Sequence, residues 1–202
     1  MTWRIIIFLA IFGMLWSSCE RRSKYEKWLA KELASGERHD SLFFGLSLGM
    51  TTKEFFERCY QKNQEGVFFQ DGATVEYRMK DELPFPATMN FYPEFQDKKI
   101  IEMPVTISYD SWAPWNKRTF ADSLQVDIKN LFEKWYGPGF IRTGHPEKGY
   151  VFVKIDGNRR VVIAKMDDKT AKVLITDMSV KKKTDETTDP VNEEKAPAPS
   201  GT

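Results

Sequence analysis

Histidine and cysteine are scarce in this chain, with 2 of each among 202 residues. His39 stands in Gly-Glu-Arg-His-Asp and His145 in Thr-Gly-His-Pro-Glu, neither with the HExxH or CxxC spacing of a zinc site, so both read as solvent-exposed loop residues. Cys59 lies among Phe55, Phe56 and Tyr60 and reads as a small buried hydrophobe, with no second thiol or histidine nearby to complete a site. Charge excess is missing too: Lys+Arg number 30 and Asp+Glu 29. Phosphate recognition needs a basic surplus on one face, so this balance argues against a nucleic-acid binder.

The nucleotide-binding signatures GxxxxGK[ST] and GxGxxG are absent as well. Gly45-Leu46-Ser47-Leu48-Gly49 matches the bare spacing GxSxG, which names a nucleophile only where a base and an acid are placed beside the serine. The glycines of Trp-Tyr-Gly-Pro-Gly-Phe follow a helical stripe, whereas a phosphate loop precedes its helix, so they read as a helix stop. Asp156, Asp167 and Asp168 fall in hairpin turns, where Asp accepts local backbone hydrogen bonds, and they lack the ligand spacing of a calcium loop. No catalytic residue, metal or cofactor is expected from these residues.

A membrane-spanning run is also lacking near the amino terminus. The uncharged apolar stretch Ile5 to Trp16 has 12 residues, against the 20 or so that cross a bilayer, and has the length of a signal-peptide core. Arg4 precedes it, and Leu15-Trp16-Ser17-Ser18-Cys19 closes it. This string resembles the lipobox of bacterial lipoproteins, with Trp16 where that motif usually carries Leu. The resemblance implies removal of residues 1–18, acylation of Cys19 and a membrane-tethered, envelope location facing the periplasm if there are two membranes. Arg21, Arg22 and Lys24 beyond the run suit a second reading, an uncleaved signal anchor.

What the chain does have is apolar and aromatic mass: 41% hydrophobic residues and 14% aromatics, enough for a packed core. Residues 19–41 read as a tether and a helix through Tyr25, Trp28, Leu29 and Leu33, and 181–202 as a disordered tail with the single aliphatic Val191. Between them, helix followed by antiparallel strands occurs twice, in units 42–112 and 113–180. The first unit has a short strand or extended lead-in, Leu42 to Gly49, and a helix near 52–63 with Thr51 and Glu54 at capping-box spacing. Strands follow around Asp71-Gly72, then at Ala87 to Tyr92 and Lys99 to Tyr109; Pro104 in the last implies an edge position or a bulge. The second unit has the stripe Phe120, Leu124, Ile128, Leu131, Phe132 and Trp135, then strands at Gly149 to Ile155, Arg159 to Met166 and Thr170 to Met178.

These elements predict an α+β, two-layer domain with helices on one face of an antiparallel sheet. In Leu48-Gly49-Met50-Thr51 and Leu131-Phe132-Glu133-Lys134-Trp135-Tyr136-Gly137-Pro138, and in the order of elements, the chain resembles the β-lactamase inhibitor protein architecture. Each half is similar to the small BamE-type assembly lipoproteins. Between the halves, Tyr109, Trp112 and Trp115 beside Lys117 and Arg118 are the candidate ligand or partner contacts. Two roles are open for them: an aromatic platform for a sugar, a peptide or a partner protein, or a clamp buried where the halves meet. The expected function is a noncatalytic, membrane-anchored module that binds another envelope protein, tethered to the lipid bilayer through Cys19. A carbohydrate- or peptide-binding module on the tryptophan loop and an enzyme with a distant acid pair are the alternatives.

Overall fold

A computed structural model of the chain describes residues 24–145 and 149–180. The signal segment 1–18, the lipid-attachment Cys19 and the tail 181–202 of the sequence reading lie outside the described residues. The helices are α1 (Lys24–Ala34), α2 (Thr52–Gln64) and α3 (Ala121–Tyr136). The strands are β1 (Phe68–Asp71), β2 (Thr74–Met79), β3 (Ala87–Phe91), β4 (Glu94–Gln96), β5 (Lys99–Tyr109), β6 (Ile141–His145), β7 (Gly149–Asp156), β8 (Arg159–Lys165) and β9 (Thr170–Asp177). All nine join one antiparallel sheet of order β1-β2-β3-β5-β9-β8-β7-β6, with β4 paired to the start of β5. The fold is α+β.

Local chemistry sets the boundaries. At the start of α2 the Glu54 amide donates to Thr51 Oγ1 at 3.3 Å and the Thr51 amide to Glu54 Oε2 at 2.8 Å, the reciprocal capping box that the spacing predicts. At the end of α3, Gly137 takes φ +80°. There the buried Lys154 ammonium donates to the carbonyls of Tyr136, Gly137 and Pro138 at 2.7, 3.3 and 2.9 Å. A cation placed among orphan carbonyls at the negative end of a helix satisfies them and closes the element.

Alternation along the strands then separates two faces. On one, Val75, Phe91, Val105, Val173, Ile163 and Phe152 stand in register across six strands, beneath α2, α3 and the buried Leu42, Phe43, Leu46 and Leu48. On the other face, Glu76, Asn90, Thr106 and Lys172 make the first half polar, while Pro104, Leu174, Val162, Val153 and Ile141 form an apolar row across the second. Helix α1 packs on β7 there, where Val153 and Ile155 are buried. Arg160 donates to Tyr25 Oη at 2.9 Å and to Thr176 Oγ1, which in turn donates to Glu102. The chain then rounds the β7–β8 turn to reach the core side: the His39 amide donates to Asn158 Oδ1 at 2.7 Å and Arg159 donates to the Ser41 carbonyl at 2.6 Å.

Four sequence expectations need correction. Leu42 to Gly49 is no strand, because Phe44, Gly45 and Gly49 take φ of +53°, +78° and +76°; its apolar residues plug the core from a run of turns. The short β4 and the polar, glycine-containing β6 carry no period-two signal, and the backbone of His145 closes β6 rather than lying in a loop. Pro104 is not on an edge, since β5 is flanked by β3 and β9. It falls where β3, which pairs with Val105 to Tyr109, has ended and β4, which pairs from Glu102 backwards, has not begun. On that flank no partner strand waits for the missing N–H.

Candidate partner-binding groove

The sequence places Phe55, Phe56, Cys59 and Tyr60 on one face of a helix, and the structure divides them. Phe55 is wholly buried and Cys59 half-buried, while Phe56 and Tyr60 are 52% and 67% exposed. Successive residues differ by about 100° around a helix, so when the Phe55–Cys59 pair meets the sheet the Phe56–Tyr60 pair is rotated to its rim. Phe69 of β1 and Tyr92, just past β3, are also partly exposed. Between α2 and the β1–β2 hairpin these four rings border a groove of about 520 Å³, floored by Phe55, Phe68 and Val75. No charged side chain lines it.

The walls are fixed by contacts below the surface. Phe55 makes edge-to-face contacts with Phe56, Tyr92 and Phe95 at centroid distances of 5.5, 5.9 and 5.8 Å. Asn63 Nδ2 donates to the Phe68 carbonyl at 2.9 Å, tying the end of α2 to β1. The Arg78 guanidinium lies 4.6 Å from the centroid of the Phe69 ring and braces it from the outer side. Burial pushes the pKa of the Cys59 thiol up to about 11, so the sulfur in this lining is a protonated apolar atom at neutral pH and no nucleophile. A neighbouring depression of about 710 Å³ is larger but its lining includes the charged Lys62, Arg78, Lys80, Asp81 and Glu82, of which Lys62 pairs with Glu65, Arg78 pairs with Glu76, and Glu82 accepts from the Tyr77 hydroxyl.

The three residues singled out between the halves do not stay together. Tyr109 is wholly buried and its hydroxyl donates to Asp127 Oδ2 at 2.8 Å, so it presents no surface to a ligand. Burial and that bond raise its pKa. Trp112 is half-buried against Phe120, ring centroids 5.8 Å apart, which is a clamp contact. Trp115 is 86% exposed and stands clear of the domain. A platform of three rings is therefore reduced to one free indole on a loop.

The other chemistry-bearing residues take structural positions. The His39 ring lies 3.6 Å from the Glu37 carboxylate at the surface. Asp167 accepts from the amides of Lys169 and Thr170 at 2.8 and 2.7 Å, which holds its carboxyl below the usual range, and Asp168 pairs with Lys165. Asp156 pairs with Arg159 at 2.8 Å and lies 3.5 Å from Lys154. Among the described residues no group of three or more His, Cys, Asp or Glu is placed to hold a metal ion.

The sequence did carry a signal for the groove. Four apolar or aromatic residues in two adjacent i, i+4 pairs make a stripe wider than a 13-residue helix needs for docking, and the surplus pair is what remains exposed. No protein-family model matches the chain, and comparison with curated proteins and with solved structures finds no match either.

Proposed function

We propose that this chain is a noncatalytic envelope lipoprotein, acylated at Cys19, whose two tandem α+β units form one domain that docks another protein in the groove between α2 and the β1–β2 hairpin. The observation that carries the docking reading is the exposure of Phe56, Tyr60, Phe69 and Tyr92 around one uncharged depression. Isolated exposed apolar residues are ordinary, but a cluster of rings on fixed walls marks an interaction surface. Covering such rings contributes on the order of 1–2 kcal/mol each, and aromatic anchors in pockets dominate binding energy. The tandem reading is supported by the element order: α2 leads into β1, β2, β3 and β5, α3 leads into β6 to β9, and the two sets meet at β5 and β9.

The anchor is tested by the intact mass of the protein extracted from membranes. Loss of residues 1–18 with added acyl mass on Cys19 is the expected result, and an unmodified, full-length amino terminus refutes the lipoprotein reading.

A further inference from the structure

We propose that the groove is occupied at rest by this chain's own segment Ala196-Pro197-Ala198-Pro199, which a docking protein must displace. The inference rests on the reading of the groove as a protein-docking surface and names its resident occupant. Each proline fixes its own φ at about −65°, and the residue before a proline is pushed to extended backbone, so this alternation favours the polyproline II form. That form makes no internal hydrogen bonds and is the one that aromatic-lined grooves accept. The groove supplies Phe56, Tyr60, Phe69 and Tyr92 as rings, and the Tyr60 and Tyr92 hydroxyls as donors for the unpaired carbonyls. Prolines two residues apart lie about 6 Å apart along such a helix, the same rise that separates Phe56 from Tyr60 on α2. Ala196 to Thr202 carries no charged side chain, as the groove lining carries none, whereas charged residues crowd 181–195. Glu57, Arg58, Lys62 and Asp71 beside the groove are of both signs, so apolar surface rather than charge chooses the occupant.

The segment is within reach of the groove. Glu102 of β5 stands in register with Thr176 near the end of β9, and Lys99, at the start of β5, bridges to Thr51 before α2, so the chain leaves the sheet at the end where the groove's helix begins. Val75 on the groove floor is in register, through Phe91 and Val105, with Val173 of β9, about 14 Å away across the sheet. Val180 follows β9 by a turn in which its amide donates to the Asp177 carbonyl at 3.4 Å, which leaves it roughly 25 Å from the groove. The 15 residues 181–195 span about 50 Å at full extension and about 21 Å as a coil. A link of matching length holds the segment at an effective concentration of about 1 mM, so a contact with a Kd of about 1 mM half-fills the groove and still yields to a tighter partner.

The test places the photo-reactive residue benzoylphenylalanine, which keeps a ring in the groove, at position 60 of the full chain purified in detergent, and locates cross-links by mass spectrometry. The expected adduct joins position 60 to residues 196–202, with a yield unchanged by dilution, as an intramolecular contact requires. Pro197→Asp with Pro199→Asp lowers that yield about 10-fold or more, because an ionised side chain is costly to bury in an uncharged lining. The double variant keeps the wild-type circular dichroism, since neither position belongs to α1–α3 or β1–β9. In cells it raises the capture of a partner protein at position 60 about 2-fold, the factor by which a half-filled groove is freed. No adduct to 196–202, a yield that falls on dilution, or an adduct or partner capture that the double substitution leaves unaltered overturns the proposal. If the tail adduct is missing while position 60 still captures a discrete protein in cells, self-occupancy falls and the docking reading stands. If the tail adduct forms and no protein is captured, the docking of another protein falls and occupancy by the tail stands.

Discussion

Gly157, in the turn between β7 and β8, has φ of +54°, and a Cβ built there would lie 2.3 Å from the Glu37 carbonyl oxygen. Two constraints coincide: a backbone conformation that side chains disfavour by about 1–2 kcal/mol, and a strap of chain pressed against the turn. Gly72, in the β1–β2 turn, has φ of +57° but open space around it. Gly157→Ala is therefore expected to lose well over 2 kcal/mol and Gly72→Ala only about 1 kcal/mol, read from urea midpoints at unchanged slope. Equal losses contradict the packing of the strap on the turn. The Asp-Gly hairpin at Asp71-Gly72 was legible because that dipeptide has a local conformational cause. The tight approach at Gly157 was not, since its cause is a segment 120 residues earlier in the chain.

At the scale of elements, α1 and the strap Glu37 to Ser41 depend on a polar node. Arg38 donates to Asp40 at 2.8 Å and to the buried Asp177 at 3.1 Å, and Asn158 donates to Asp40 at 2.9 Å. Burial pushes the Asp177 carboxyl up, but hydrogen bonds from Ser179, Asn158 and Arg38 outweigh it and hold the group below its ordinary value. A carboxyl lowered in the folded state adds stability above its unfolded pKa of about 4 and loses it as the pH falls through the folded value. Acidification below about pH 4 is thus expected to loosen residues 24–41 before the sheet, seen as earlier amide hydrogen exchange there than in β5 and β9. Simultaneous loss of protection everywhere contradicts this. Both core helices and seven of the nine strands announce themselves by period and turn residues. β4, β6 and Leu42 to Gly49 do not, because their form is set by neighbours: β4 by the flank of β5, β6 by β7, and the lead-in by burial of Leu42, Phe43, Leu46 and Leu48.

The whole molecule is organised around the β5–β9 seam. Met103, Val105 and Ile107 of β5 face Ile175, Val173 and Ala171 of β9, all with 1% exposure or less. A core this continuous makes the nine-stranded sheet and its helices one cooperative unit, although the sequence reads as two units in series. One calorimetric transition with matching van't Hoff enthalpy is expected, and Ile107→Ala is expected to cost about 2–5 kcal/mol while leaving it single. Two resolved transitions contradict a shared core. The candidate site was less legible than the fold at this scale. Aromatic richness drew attention to the loop after β5, where Tyr109 and Trp112 turn inward, while the exposed rings gather at Phe56, Tyr60, Phe69 and Tyr92 from two separate elements and the end of a third.

The central claim, that these rings dock a protein, is tested most directly by a photo-reactive amino acid placed at position 60 in the cells that make the protein, with Lys172 on the polar outer face as the control site. The account predicts a discrete protein adduct from position 60 that Phe56→Asp abolishes, and none from position 172. No adduct at 60, or the same adducts from both positions, contradicts it.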